Sequence, residues 1–321
     1  MSSNEALMRK ADLAVSDLET NGGKLLPEQA NMFIRKLLAQ PTVLRQARTV
    51  VMNSPQRNVN KISFADRILM PAVANTALDA DTSATNRRSK PTTEQITMTT
   101  KEIIAEVRLP YDVIEDNIER GNIGLATDTG GTSAGGGIVD TVMTLIAERA
   151  ALDLEELALL GDTGSGDAYL ALVDGWIKRM TTNVVNAASS PISRSLLTSG
   201  MKALPSQYRR NRAAMRHFVS TEQEIDYRET IAQRETTAGD GMTQNLNPVF
   251  AAGTPLEGAA LMPSATGFLT NPLNLLWGVQ RNIHVETDKD IRARNYIIVL
   301  TLRCDFQIEE EAATVKYTNI G

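Results

Sequence analysis

The clearest pattern of apolar and polar positions lies near the middle of the chain, from Ile138 to Leu160. Apolar residues recur there at helical spacing, and acidic residues lie off the stripe. The stripe consists of Val139, Met143, Ile146, Ala150, Leu154 and Leu157. Gly161 follows as the expected C-terminal cap. The pattern predicts a helix of roughly 35 Å, at about 1.5 Å per residue, with one buried face.

Two strand patterns precede this helix and indicate a long hairpin. Lys61 to Leu69 and Thr92 to Leu109 both place apolar residues at loosely alternating positions. Between them, Ala74 to Pro91 is polar, and Leu78 is its only large apolar residue. Such a stretch cannot bury a core, and long loops of this kind are usually functional. We therefore expect a two-stranded hairpin with a polar tip.

The second half of the sequence alternates short helices and strands, with no internal repeat. One helix is predicted over Ser195 to Tyr208, with a break at Pro205. Another is predicted from Thr221, which forms a capping-box pattern with Glu224, to about residue 234. The predicted strands are His217 to Val219, short strands within 248–272, Ile283 to Thr287, and Asn295 to Ile308. The last is apolar on both faces, which is typical of a buried strand.

Composition narrows the classes of protein. The 321 residues correspond to roughly two domains. A net charge of −5 does not support steering toward nucleic acid. One cysteine and two histidines leave no disulfide and no cysteine-based zinc site. The sequence has no apolar run long enough for a membrane helix and no signal-peptide pattern near its start, so we expect no membrane contact and synthesis in a reducing cytoplasm.

Two motifs invite an enzymatic interpretation. Asp128-Thr129-Gly130 and Asp162-Thr163-Gly164 resemble aspartic-peptidase triplets, but they are separated by a single helix rather than by a complete lobe. The glycine-rich stretch 129–137 lacks the lysine of a phosphate-binding loop. Turn chemistry explains the triplets and a hinge explains the glycines. An aspartic peptidase remains a distant alternative.

The remaining reactive residues have structural interpretations. Lys202 to Arg216 contains five basic residues, as expected of a solvated face. The acidic run Glu309 to Glu311 is interpreted as a solvated strand end. His217 and His284 are interpreted as structural, and Cys304 as a small buried hydrophobe. We therefore predict no enzyme, no catalytic residue, no cofactor and no metal.

The order of these features resembles the major capsid proteins of tailed bacteriophages with the Hong Kong 97 fold. The helix ends in "LEELALLGDTGSGD", and the family's turn after its spine helix is similar to "DGW" at Asp174 to Trp176. Three further segments are similar to the family's later elements: "HFVSTEQEIDYR", "TPLEGAALMP" and "LLWGVQRNIHVETDKDIRARNYIIVLTLRCDF". The resemblance covers about residues 41–318.

The resemblance implies an α+β fold with four parts. These are an N-terminal arm (1–60), an E-loop hairpin (61–109), a P-domain with the spine helix 138–160 (110–172, completed by 279–309) and an A-domain (173–278, completed by 310–321). Arg87, Arg88 and Lys90 at the hairpin tip are expected to contact neighbouring subunits. Gly135, Gly136 and Gly137 are expected to form a hinge before the spine helix.

The resemblance also implies a function. Copies would assemble into hexamers and pentamers of an icosahedral shell around double-stranded DNA, made in the bacterial cytoplasm and ending in the virion. The short arm indicates a separate scaffolding protein, beside a portal and possibly a decoration protein. An encapsulin-type compartment, whose short N-terminal helix binds cargo, is the alternative.

Some relatives cross-link covalently through a lysine, an asparagine and a carboxylate. Aligning "LTLRC" places Ile298 at the asparagine and Asp305 at the carboxylate, with Lys90 at the loop tip. We therefore predict no cross-link, although a slip of three residues would bring Asn295 to the site.

Overall fold

The computed structural model describes residues 41–63, 91–110, 138–233 and 249–321. The strands in these ranges are β1 (Arg48–Val51), β2 (Gln56–Ser63), β3 (Thr92–Thr99), β4 (Lys101–Pro110), β5 (Val184–Asn186), β6 (Arg216–Ser220), β7 (Val249–Ala251), β8 (Thr254–Ala259), β9 (Gly267–Thr270), β10 (Leu275–Asp290), β11 (Asn295–Ile308) and β12 (Val315–Thr318). The helices are α1 (Ile138–Leu160), α2 (Trp176–Arg179), α3 (Arg194–Ala203) and α4 (Thr221–Ala232), with short 3-10 turns between elements.

Helix α1 has the bounds that the helical stripe predicts. Its C-terminal half is buried at Leu154, Leu157, Ala158 and Leu159. Two glycines hold its end against the chain that follows: a Cβ on Gly161 would lie 2.3 Å from the carbonyl oxygen of Val173, and one on Gly175 would lie 2.8 Å from that of Ala158. The Gly175 N–H donates to the Gly161 carbonyl at 2.8 Å. Only glycines allow this close backbone contact.

A four-stranded sheet lies beside this helix in the order β1-β10-β11-β4. Strands β10 and β11 are antiparallel, as are β11 and β4, whereas β1 runs parallel to β10. Strand β11 alternates inward residues such as Ile298, Leu300 and Leu302 with half-buried ones. Of these, Leu300 and Leu302 join α1, Trp176 and Phe268 in one apolar core. Strand β10 is much longer than the predicted Ile283 to Thr287.

The hairpin differs from its prediction at both strands. The first strand begins at Gln56 rather than at Lys61, and the part of its prediction after Ser63 lies outside the described residues. Strands β2 and β3 pair as an antiparallel ribbon, but the predicted strand Thr92 to Leu109 is broken at Thr100. The second part, β4, pairs with β11 instead. The break has a hydrogen-bonding cause, because the Thr99 N–H donates to the Asp305 carboxylate at 2.7 Å and the Thr100 N–H donates to the Pro55 carbonyl at 2.9 Å. The prediction of one continuous strand from Thr92 to Leu109 was therefore wrong.

A six-stranded mixed sheet has the order β5-β12-β9-β6-β8-β7. One face contributes Phe218 and Phe268 to the core beside α1, and they contact each other with ring centroids 5.1 Å apart. The other face, with α3 and α4, encloses a second apolar core around Leu269 and Tyr317. The six strands thus separate two cores.

One local detail of the helices corrects the sequence interpretation, and another agrees with it. The cap of α4 is Ser220, not Thr221, since the Ser220 hydroxyl accepts from the Gln223 N–H at 3.2 Å. Helix α3 ends at Ala203, before Pro205, as the predicted break requires. Residues 41–60, which the sequence analysis assigns to the N-terminal arm, include β1 and part of β2. The domain boundaries given above stay a prediction.

Candidate functional site

The root of the β2–β3 hairpin packs on the four-stranded sheet. Met52, Met98 and Leu276 are at most 1% exposed and form a small apolar cluster of their own. Gly278 on β10 makes room for it, since a Cβ there would lie 2.5 Å from the Met98 Cε. The hairpin therefore packs on the four-stranded sheet through few side chains at one end.

Asp305 reinforces this root from within β11. The side chain is 3% exposed, and its carboxylate accepts from the Thr99 N–H at 2.7 Å and the Phe306 N–H at 2.8 Å. Arg179, at the end of α2, lies 3.8 Å away. Burial raises the pKa of this carboxyl, against the opposing hydrogen bond from Thr99 and the charge of Arg179. Asp305 thus connects the hairpin, the sheet and α2.

An ion pair attaches the hairpin to the end of β11. Lys61 on β2 pairs with Glu310 and, at 3.2 Å, with Glu94 on β3. Although burial alone would lower the pKa of Lys61, the two carboxylates raise it above its usual value. The attachment is half-buried rather than fully solvated, because Lys61 is 25% and Glu310 23% exposed.

The acidic run that follows β11 therefore does not form a solvated strand end, and that interpretation was wrong. Glu309 pairs with Arg48 at 2.8 Å, and Glu310 pairs with Lys61. Glu311 accepts from the backbone N–H groups of Thr181 and Thr182 at 2.8 and 2.9 Å. Three consecutive carboxylates thus hold three different parts of the chain.

Glu155 provides an anchor that sequence reasoning missed. It is 1% exposed on the buried side of α1, and its carboxylate accepts from the backbone N–H groups of Thr42, Val43 and Leu44 at 2.8, 2.6 and 3.4 Å. Consecutive N–H groups around one anion form a backbone nest. Nothing in the sequence distinguishes Glu155 from the helix's exposed acids, because its partners are main-chain groups 111–113 residues away.

Over the described residues of β2 and β3, the outward face carries no charged side chain. The β2–β3 register places on one face Gln56, Asn58, Asn60 and Ile62 with Thr93, Gln95, Thr97 and Thr99. All eight are exposed, and Ile62 is 69% exposed. The other face carries Val59, Ile96 and Met98 toward the sheet. A neutral surface of amides, hydroxyls and one large apolar side chain is suited to contact with another protein.

The described residues offer little support for the enzymatic alternatives. The Asp162 carboxylate accepts from the Gly164 N–H at 2.7 Å and pairs with Lys178, which is turn chemistry. Partial burial opposes the ionisation of Asp174, but hydrogen bonds from Thr163 and Lys178 lower its pKa to about 2. Asp128, the other triplet's acid, lies outside the described residues. Two carboxylates that share a proton, as an aspartic peptidase requires, are therefore not found in the part of the chain that is described.

The histidines and the cysteine have structural environments. Burial lowers the pKa of His217 to about 4, and its Nδ1 lies 3.1 Å from the Tyr317 hydroxyl. His284 is exposed and contacts Glu286 at 3.0 Å. Burial raises the pKa of the Cys304 thiol to about 12, so the thiolate is disfavoured. Within the described ranges, no group of three potential ligands is placed to hold a metal ion, and no helix is long and apolar enough to cross a membrane.

The site residues expected from the sequence cannot be placed. Arg87, Arg88 and Lys90 lie outside the described residues, as do Gly135, Gly136 and Gly137. The basic segment Lys202 to Arg216 is not only a solvated face, because one of its arginines bonds within its own chain. Arg209 donates to the carbonyls of Leu204 and Lys202, both at 2.6 Å.

Comparison with known proteins identifies the class. YqbE of Bacillus subtilis (strain 168), which its name assigns as a prophage capsid protein, is 38% identical over 330 residues, covering 99% of each chain. The chain belongs to the family of prophage capsid proteins. No protein-family model matches it. Membership favours a phage shell over an encapsulin-type compartment, and this capsid protein is a structural component of a virion.

Solved capsids show the same fold. The capsid of the native GTA particle matches this capsid protein with a TM-score of 0.65 at 15% identity, over 96% of this chain and 100% of the other. The satellite phage P4 procapsid matches with a TM-score of 0.60 at 12% identity, over 95% and 97%. Mycobacterium phage Bobi matches with a TM-score of 0.61 at 12% identity, over 97% and 100%. The capsid protein therefore has the mixed α and β fold of phage capsids.

Proposed function

We propose that this capsid protein forms the hexamers and pentamers of an icosahedral shell of the Hong Kong 97 type, enclosing double-stranded DNA. The observation that carries the proposal is the hairpin, which is attached at its root and exposes a neutral outer face. An isolated two-stranded ribbon is marginally stable in water. A neighbouring subunit would supply contacts to the exposed face of β2 and β3, which the rest of the described chain leaves uncovered.

The sequence-derived sites belong to this proposal. Arg87, Arg88 and Lys90 would form ion pairs with the next subunit, each contributing about 1 kcal/mol or less when exposed, but repeated at every subunit. Gly135, Gly136 and Gly137 would absorb the backbone change when the shell matures. With Ile298 at the asparagine position, mature shells would contain no lysine–asparagine cross-link and would dissociate to single chains in hot SDS.

The partners follow from the same role. A separate scaffolding protein, a portal and possibly a decoration protein would accompany the shell, with synthesis and assembly in the bacterial cytoplasm. DNA would be enclosed without sequence specificity. The net charge of −5 suits this, because a basic subunit would bind phosphates and release counterions.

Negative-stain microscopy of the purified protein tests the proposal. We expect uniform icosahedral shells, and a monodisperse monomer would contradict it. Ile62→Glu, on the outer face of the hairpin, should abolish shells without unfolding the subunit. Ile225→Glu on α4 is the matched control, because Ile225 is 59% exposed on a different surface. Equal loss of shells in both variants would remove the hairpin from the argument.

A further inference from the structure

The outermost strands of the six-stranded sheet, among the described residues, are β5 and β7. Each carries one large apolar side chain facing solvent: Val184 on β5 is 50% exposed and Phe250 on β7 is 57% exposed. Two open edges are an aggregation hazard unless something covers or protects them.

Charge, the usual protection, is missing from both edges. Residues 181–193 and 249–256 contain no charged side chain. One outer strand of the four-stranded sheet is different, because β4 carries Lys101, Glu102, Glu106 and Arg108 and ends at Pro110. The contrast indicates that β4 is protected against pairing, whereas β5 and β7 are not.

At each edge, alternate residues direct their backbone hydrogen-bonding groups away from the rest of the described sheet. Two hydrogen bonds, both 2.8 Å long, join the ends of β5 to β12. The Lys316 N–H donates to the Asn183 carbonyl, and the Ala187 N–H donates to the Thr318 carbonyl. Because successive strand residues alternate, the groups of Val184 and Asn186 point away from the sheet. In the β7–β8 hairpin, Ala251 and Thr254 flank a two-residue turn, so Phe250 is the outward residue.

The strand register places the two exposed side chains on one face of the sheet. Directly opposed residues share a face, and so do residues two apart on a strand. The chain of pairs runs from Val184 through Lys316, Phe268, Phe218 and Glu257, then to Pro255 two residues away, and finally to Phe250. The two edges are thus compatible in face as well as in charge.

The strand directions fix how two copies would meet. Strand β5 is parallel to β12, which is antiparallel to β9, and following the sheet to β7 shows that β5 and β7 run in opposite directions. A rotation about an axis along the strands therefore brings β7 of one copy antiparallel to β5 of the next. Such a head-to-tail contact forms a closed ring when the rotation is a whole fraction of a turn, such as one sixth or one fifth.

We propose that β7 of one subunit pairs antiparallel with β5 of its neighbour, with Phe250 opposite Val184, so that the six-stranded sheets form a continuous ring in each hexamer and pentamer. The occupant of each edge is a second copy of this chain. This inference rests on the proposed function and names the contact that builds its rings. An aromatic residue opposite a β-branched one is a favourable cross-strand pair.

A cysteine pair tests the register. The single native cysteine, Cys304, is fully buried, so introduced thiols report without interference. In one subunit, positions 184 and 250 are separated by five strand spacings, about 24 Å, which excludes an internal disulfide. Opposed residues at a hydrogen-bonded pair are about 5.5 Å apart at Cα, within disulfide range.

We expect the double variant Val184→Cys/Phe250→Cys to give a ladder of covalent multimers up to closed rings after mild oxidation of assembled protein. Each single variant should stay monomeric on a denaturing gel. Covalent dimers in a single variant would overturn the head-to-tail contact. Shells that form normally in the double variant without a ladder would overturn the inference alone, and absence of shells in the wild type would overturn the proposed function with it.

A charge placed on either edge gives a second readout. Val184→Lys and Phe250→Lys should each abolish rings and shells in microscopy while leaving the circular dichroism spectrum and thermal midpoint of the subunit nearly unchanged. Ile225→Lys, with similar exposure on α4, should assemble normally. Normal assembly of both edge variants would contradict the edge contact.

Discussion

The hairpin β2–β3 and the six-stranded sheet are stabilised in opposite ways. The sheet has an apolar core on each face, with Leu269 and Phe268 both fully buried. The described part of the hairpin is held at its root by the Met52, Met98 and Leu276 cluster, by the buried carboxylate of Asp305 and by the ion pairs of Lys61 with Glu310 and Glu94. The sheet therefore has cores of its own, whereas the described part of the hairpin is held at its root. Under the proposed function, its exposed face is covered by a neighbouring subunit. In a protein that assembles, this division separates folding from docking.

The largest expected effect comes from the sheet's own core. Leu269→Ala on β9 should lower the free energy of unfolding by about 2–5 kcal/mol, because it removes a fully buried side chain and leaves a cavity. Chemical denaturation of unassembled subunits measures this. Leu273→Ala is the control, since Leu273 is 59% exposed. Similar losses for both would show that the sheet does not depend on its core.

A smaller and more local effect is expected at the hairpin root. Met98→Ala should cost about 2 kcal/mol, but mainly in the opening of β2 and β3, because the Met98 cluster is separate from both larger cores. Hydrogen exchange should become faster in these two strands and stay unchanged in β6 and β9. Faster exchange throughout the subunit would mean that the hairpin and sheet unfold as one unit.

The hydrogen bond of Asp305 allows a finer test. Asp305→Ala leaves the Thr99 N–H without its acceptor and should cost about 1–3 kcal/mol, whereas Asp305→Asn keeps an acceptor oxygen and should cost less. Because burial raises the pKa of Asp305, the folded wild type holds a proton more readily than the unfolded chain. Wild-type stability therefore falls, relative to Asp305→Asn, as the pH rises through the folded pKa. Denaturation of the three proteins between pH 4 and 7, a range that begins near the ordinary aspartate pKa of about 3.9, measures the trend. The same pH trend in the wild type and in Asp305→Asn would contradict the argument from the charge of Asp305.

The smallest effect is expected at the ion pair of Lys61. Lys61→Met should cost about 1 kcal/mol or less, and the loss should shrink in high salt. The raised pKa of Lys61 means that its contribution is present below the unfolded lysine value of about 10.4 and disappears as the pH rises through the folded pKa. Thermal midpoints at pH 8 and 11 check the direction. Lys101→Met on β4 is the control and should show no such salt dependence.

The sequence predicted the parts of this comparison unequally. The helical stripe located α1 to its terminal residues, because that pattern is local and continuous. The break at Thr100 escaped prediction, since it arises from a hydrogen bond to Asp305, which is 206 residues away from Thr99. Glu155 escaped for the same reason, as its partners are backbone groups far along the chain. Periodicity identifies elements, but contacts between distant main-chain groups leave no pattern in the order of side chains.

The backbone contact between Gly161 and Gly175 has a mechanical consequence. It fixes the C-terminal end of α1, where Leu154, Leu157 and Leu159 are also buried, whereas the middle of the helix, at residues 147–149, is exposed. We therefore expect any rigid-body tilt of the helix to pivot near Gly161. A tilt of about 10° around that point moves the far end of a roughly 35 Å helix by about 6 Å. Small rearrangements near Gly161 would thereby be amplified toward residue 138, and they would have to repack Leu154 and Leu157 in the core.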